Sequence, residues 1–169
     1  MTEPNRKREI RIRPTGPHDA DAILRIAREL VEDGATYSFA PGTSDEELLA
    51  YWLAPRERTF VALLDGEIAG CYVLRPNHPG RASHVANCSY AVAARQWGRG
   101  VGQAMAEHSL EEARRSGFQA MQFNFVVATN ERALALWQRL GFRIVGTSPQ
   151  AFDHPRLGLV DAYVMHRFL

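Results

Sequence analysis

The 169-residue sequence predicts a single α/β domain: one mixed sheet with helices on both faces. Three observations point there. Segments with strand-like and helix-like hydrophobic spacing follow one another in the order β-α-α-β-β-β-α-β-α-β-β. Residues 121–127 form a near-continuous apolar run broken by Gln122 and Asn124, as expected of a central strand covered on both sides. No repeat, linker or low-complexity tract divides the chain, and its length suits one domain, 1–169.

Residues 8–13 alternate in polarity and read as an edge strand, stopped by Pro14, Gly16 and Pro17. From 19 to 31, Ala22, Ile23, Ile26, Ala27 and Leu30 recur at helical spacing, and Gly34 ends the run. A loop with Tyr37, Phe39 and Pro41 leads to a short helix from Ser44 to about Leu53. Strands 59–64 and 68–74 meet at Asp65-Gly66, a tight-hairpin signal. Residues 76–80 form a loop, and 84–92 a further strand. A glycine-rich segment then opens a helix to about Ser116, with Gln103, Glu107, Glu111 and Arg114 on its polar face and Val101, Ala104, Met105 and Ala113 mostly inward; Gly117 closes it. After the central run, Asn130 caps a helix whose Ala133, Leu134, Trp137 and Leu140 share a face, ending at Gly141. Strands 142–147 and about 159–167 flank a loop containing Phe152, His154 and Pro155.

Composition narrows the function. Hydrophobic residues make up 46% and charged residues 23%, the balance of a packed globular protein. Twenty basic against nineteen acidic residues leave a formal charge of +1, so no global field recruits nucleic acid or an anionic membrane. Cys71 and Cys88 lie in apolar strand-like runs without CxxC or Cys/His spacing, which suits buried thiols and gives no metal site. The first ten residues lack an apolar leader core, and no run reaches the ~18 residues a membrane span needs; the expectation is a cytoplasmic protein.

The segment Trp97-Gly98-Arg99-Gly100-Val101-Gly102-Gln103 lies between a strand and a helix. Unpaired backbone N–H groups at the positive end of a helix make such a turn a phosphate site. Its spacing is neither GxGxxG, since Gln103 stands where the third glycine belongs, nor a P-loop. By itself it also fits a merely structural turn.

Strand 84–92, this loop, its helix, the strand ending at Val127 and the pattern Asn130-x-x-Ala133-x-x-x-Trp137-x-x-x-Gly141-Phe142 resemble the GNAT superfamily of N-acetyltransferases across residues 59–142, and more loosely the whole chain. The resemblance implies acetyl-CoA as acyl donor, and a sheet whose strands 84–92 and 121–127 splay apart. The pantetheine arm then lies in the splay against the backbone of Tyr90, Ala91 and Val92. The amides of Gly98, Arg99, Gly100, Val101, Gly102 and Gln103 hold the pyrophosphate, and Asn130 and Trp137 lie beside the cofactor. Asn130 serves equally as a plain helix cap. Two positions depart from the family pattern: Trp97 replaces the usual Gln or Arg, for which Arg95, Gln96 or Arg99 could compensate, and Trp137 replaces a frequent acid tyrosine. A thiol of pKa ~8.5 leaves well without that acid. A homodimer is a further implication of the resemblance.

The implied reaction is direct attack of a neutral amine on the thioester, with backbone N–H around Val92 stabilising the oxygen. Candidate bases are Asp161, His154, His84 and Tyr90. The segments His84-Val85-x-Asn87, Phe123-Asn124-x-Val126-x-x-Thr129-Asn130, Asp153-His154-Pro155 and Val160-Asp161-Ala162 resemble the subgroup with the yeast acetyltransferase of proline analogues, which implies a small amino acid or related amine as acceptor. Asn87 and Asn124 then orient that acceptor beside Val92, or bond instead to backbone that the splay leaves unpaired. Tyr37, Phe39, Tyr51 and Phe152 are candidates for the pocket wall. Two other classes stay open: a protein N-terminal or lysyl acetyltransferase with an open groove, and a non-catalytic acyl-CoA-binding module.

Overall fold

The computed structural model of the chain describes residues 9–169. Arg8, expected to open the first strand, and the polar segment before it lie outside the described residues. The elements follow the predicted order: β1 (Ile10–Pro14), α1 (Ala20–Asp33), α2 (Asp45–Trp52), β2 (Arg58–Leu64), β3 (Glu67–Pro76), β4 (Val85–Val92), α3 (Val101–Arg115), β5 (Ala120–Val127), α4 (Glu131–Arg139), β6 (Arg143–His154) and β7 (Gly158–Phe168). One sheet takes the order β1-β2-β3-β4-β5-β7-β6, antiparallel except between β4 and β5.

The helix ends carry the chemistry that the sequence advertises. Gly34 turns left-handed at φ 62° and bonds back to the Leu30 carbonyl, closing α1. Ser44 and Glu47 form a reciprocal capping box at the start of α2. Asp19, before α1, spends its carboxylate on Arg13 at 2.6 and 2.9 Å, which holds that carboxyl below its ordinary range.

Each face of the sheet has its own core. On one, Ile23, Ile26, Ala27 and Leu30 of α1 and Leu48 and Trp52 of α2 cover Val61, Cys71, Val73 and Ala91. On the other, Val101, Met105 and Leu110 of α3 and Trp137 of α4 cover Tyr72, Cys88, Met121, Phe123 and Met165. Both cysteines are buried and free. Among the described residues no helix is long and apolar enough to cross a membrane.

Two expectations need correction. The predicted loop around Phe152 and His154 is strand: β6 runs on to His154, with a bulge between Ser148 and Phe152. Gln150 takes φ 50°, its N–H donates to Asp161 Oδ1 at 2.9 Å, and pairing resumes at Phe152 opposite Val160. The run 121–127 is not covered throughout. Between Phe123 and Val126 β5 carries one residue more than β7, and this bulge leaves Asn124 and Phe125 exposed.

Candidate active site

A short 3₁₀ turn, Ala94–Gln96, leads from β4 into the glycine-rich loop. Gly98 and Gly100 take φ 76° and 84°, where a Cβ would be strained, and α3 starts at Val101. The first helical bond runs from Ala104 N–H to the Gly100 carbonyl at 3.0 Å. The N–H groups of Gly98, Gly100, Val101, Gly102 and Gln103 therefore donate to no protein acceptor among the described residues. This concave set suits a diphosphate. Arg99 leaves the expected cradle: its N–H bonds to the Gln96 carbonyl at 3.3 Å, and its guanidinium to Gln96 and Asp65. Arg95 is likewise engaged, with Glu67. The cation placed at this end is instead Arg132 of α4, 5.2 Å over the Trp97 ring; Arg139 of α4 also lines the cleft.

The neighbouring strands part beside this loop. β4 and β5 pair only at Val85–Ala120 and Ala86–Met121 before diverging. Along β4 the odd residues turn their peptide groups to β3, as the bonds Asn77 N–H to Val85 C=O and Ala93 N–H to Ala69 C=O show. The Tyr90 and Val92 peptides thus face the splay, whereas Ala91, expected there too, is committed to β3 and buried under α1 and α2. The Tyr37 hydroxyl donates to the Tyr90 carbonyl at 2.8 Å and accepts from the Tyr90 N–H at 3.0 Å. The Trp97 indole donates to the Val92 carbonyl at 3.0 Å. Across the splay, Asn130 accepts from Ala133 N–H at 3.2 Å as the cap of α4, and the Trp137 ring packs at a tilt with its centroid 4.9 Å from that of Tyr90 and 4.6 Å from that of Phe123.

Beyond the splay lies a polar floor on the α1–α2 face. Asn77 Oδ1 accepts from both Asn87 (3.1 Å) and Asn124 (2.7 Å). Asn87 also donates to the Gln122 carbonyl, and Gln122 to Asn124 Oδ1. Arg75 extends the floor, bonding to Ser89 and Glu57 beneath the Tyr51 ring. Asn124, expected as a buried amide, is exposed because the β5 bulge turns it outward. Tyr37 and Tyr51 line the cleft; Phe39 stacks behind them and Phe152 is buried against Phe125. At the far end, a Cβ on Gly34 would lie 3.7 Å from Pro155 Cγ, so the β6–β7 turn meets the end of α1. Cradle, splay and floor form one cleft of about 1100 Å³.

The profile of the acetyltransferase (GNAT) family matches residues 24–142. This chain belongs to the GNAT family. The solved structure of a GCN5-related N-acetyltransferase from Kribbella flavida is 45% identical, with a TM-score of 0.91, covering 95% of this chain and 98% of that one. N-acetyltransferase aca1 of Schizosaccharomyces pombe is 38% identical over 101 residues, 57% of this chain and 47% of that protein, so the match spans about half the relative's length. The structure of yncA from Salmonella typhimurium with its cofactor acetyl-CoA shares the fold at TM-score 0.82 and 22% identity, covering 95% of this chain and 94% of that one.

Within this GNAT fold the acid–base candidates separate. The buried Tyr90 phenol bonds to Ser109 Oγ at 2.7 Å; because Ser109 gives its own proton to the Ala106 carbonyl, Tyr90 is the donor. Burial also pushes the Tyr90 phenol well up, so it is no base near neutrality. Asp161 and His84 do not line the cleft; His154 does, buried, with Nδ1 accepting from Arg156 N–H at 3.2 Å. That bond puts the proton of the neutral ring on Nε2. Cys88 also lines the cleft, but burial pushes its thiol up to about 12, which removes it as a nucleophile. Among the described residues no three His, Cys, Asp or Glu side chains gather as a metal site. Sequence reasoning missed Asn77 and Arg75. Asn77 carries a faint signal, a polar residue just past a strand end, but its partners are remote in sequence.

Proposed function

We propose that the protein transfers an acetyl group from acetyl-CoA to the primary or secondary amine of a small molecule, an amino acid or a close relative. One observation carries this reading: the amide floor of Asn77, Asn87 and Asn124 at the acceptor end of the cleft, on the side where the Pro155 turn meets the end of α1. A peptide substrate needs an open groove there. With both Asn87 protons given to Asn77 and Gln122, the donors left are the Asn77 amide and the second Asn124 proton, and neutral amides donate to a carboxylate without raising the pKa of the neighbouring amine, as a carboxylate side chain would.

When bound, acetyl-CoA supplies a thioester carbonyl for direct attack by the amine. The free N–H groups of Gly98, Gly100, Val101, Gly102 and Gln103 hold its diphosphate, with Arg132 over the Trp97 ring beside them. The Tyr90 and Val92 peptides both face the splay: the Tyr90 N–H is the donor for charge developing on the carbonyl oxygen, and Val92 serves the pantetheine arm. Trp137 packs beside this line and carries no useful acid. Two buried free thiols suit a reducing compartment, and we place the reaction in the cytoplasm.

The test is an acceptor screen with thiol release as readout. Small amino and imino acids should be turned over with higher kcat/KM than peptides presenting the same amine. Preference for peptides would assign the protein to the peptide-modifying class, and acetyl-CoA binding without turnover of any amine would make it a non-catalytic module.

A further inference from the structure

We propose that Tyr37 is the gate of the acyl position: its phenol holds the Tyr90 peptide that the thioester oxygen takes over, so that acetyl-CoA binding turns Tyr37 out and reshapes the acceptor pocket. The inference rests on the splay being the acetyl-CoA cleft. Tyr90 and Val92 are the two β4 peptides that face it just before the loop. Val92 lies at the cradle end, where a Cβ on Gly102 would be 3.8 Å from its Cγ2 and where Trp97 bonds to its carbonyl. Tyr90 is two residues, about 6.6 Å, further toward the floor, and its neighbour Ser89 bonds to both Tyr51 and Arg75. A donor anchored by its diphosphate at the cradle therefore presents its thioester at Tyr90, and Val92 serves the arm.

The Tyr90 N–H cannot fully serve two oxygens. Tyr37 Oη stands 3.0 Å from it, on the side where β5 has left the strand, and the phenol's single proton is already given to the Tyr90 carbonyl at 2.8 Å. A thioester oxygen at ordinary hydrogen-bond distance from the same N–H meets the phenol oxygen, so one must yield. Tyr37 is placed to yield. It sits between the Gly34 cap and the Ser44 capping box, in a stretch without helix or strand. Its ring is held by Phe39 in a 5.5 Å stack, by the edge of Tyr51 at 6.3 Å and by the tilted ring of buried Trp52 at 5.7 Å, so that its outward turn trades these contacts for those of the bound donor. Because Tyr51 also bonds to Ser89 of the floor at 2.8 Å, movement of Tyr37 alters the acceptor wall directly.

Calorimetry with acetyl-CoA on the full chain tests the gate. Tyr37→Phe removes the competing oxygen, and its Kd should fall about 3–10-fold below that of the unaltered protein, the scale of one or two net hydrogen bonds. An unchanged or weaker Kd overturns the gate. Gly100→Asp, measured alongside, separates the two readings. If it binds as tightly as the unaltered protein, the cleft assignment itself falls; if it loses binding while Tyr37→Phe gains none, the gate alone falls. Should Tyr37→Phe not fold, hydrogen exchange of residues 35–41 in the unaltered protein decides. Saturating acetyl-CoA should speed exchange there, and unchanged or slower exchange overturns the proposal.

Discussion

The two ends of the cleft are built from different material. The proposed donor end is backbone: five N–H groups at the start of α3 that meet no protein acceptor among the described residues, supplied by one heptapeptide. The acceptor end is side chain: Asn77 follows β3, Asn87 lies on β4, Asn124 on the β5 bulge, and Tyr37 and Tyr51 reach in from the α1–α2 segment. A site made of peptide groups tolerates most side-chain changes and fails when the backbone is filled or charged. A site made of side chains fails one residue at a time, and it can be retuned for a different amine without touching the donor.

The largest effect should come from breaking the backbone end. Gly100→Asp places a carboxylate against the diphosphate and should raise the acetyl-CoA Kd by about 100-fold or more, with circular dichroism showing a retained fold. Undiminished affinity in folded protein would remove the cradle. At the other end, Asn77→Ala deletes the oxygen shared by Asn87 and Asn124. Steady-state kinetics should show the acceptor KM raised by about 10-fold, while the acetyl-CoA KM stays within about two-fold. A shift in the donor constant instead would dissolve the division between the two ends. Between them, Trp137→Phe should change kcat by no more than about three-fold, since the indole packs on Tyr90 and Phe123 without giving a proton. A loss of about 10²-fold at unchanged stability would make it part of the proton path.

The same contrast explains what could be read without coordinates. Glycines at 98, 100 and 102 advertise a local backbone geometry, and local geometry lies in adjacent letters. The order of the elements was legible for a similar reason, because Asp65-Gly66, Gly34 and the Ser44–Glu47 box each act within a few residues. The acceptor floor joins residues 47 apart, Asn77 with Asn124, and no short window holds that pairing. The β5 bulge was hidden because Asn124-Phe125 looks like ordinary alternation until β7 is laid beside it. In β6 the expected loop is strand with a bulge, because the Gln150 N–H finds the carboxylate of Asp161 across the hairpin, 11 residues away in sequence. Tyr37 was legible as a pocket residue, but not its hold on the Tyr90 peptide.

The most direct test of the division between a backbone donor end and a side-chain acceptor end is the pair of Michaelis constants of Asn124→Ala, measured with the best small acceptor. Asn124 is exposed, so its truncation should leave the melting temperature nearly unchanged, within about 0.5 kcal/mol of stability. The account predicts an acceptor KM raised by about 10-fold or a kcat lowered to match, with the acetyl-CoA constant unmoved. A variant that melts earlier yet keeps its acceptor kinetics would contradict it, and would make the asparagine floor a strap for the splayed strands and not a seat for the substrate.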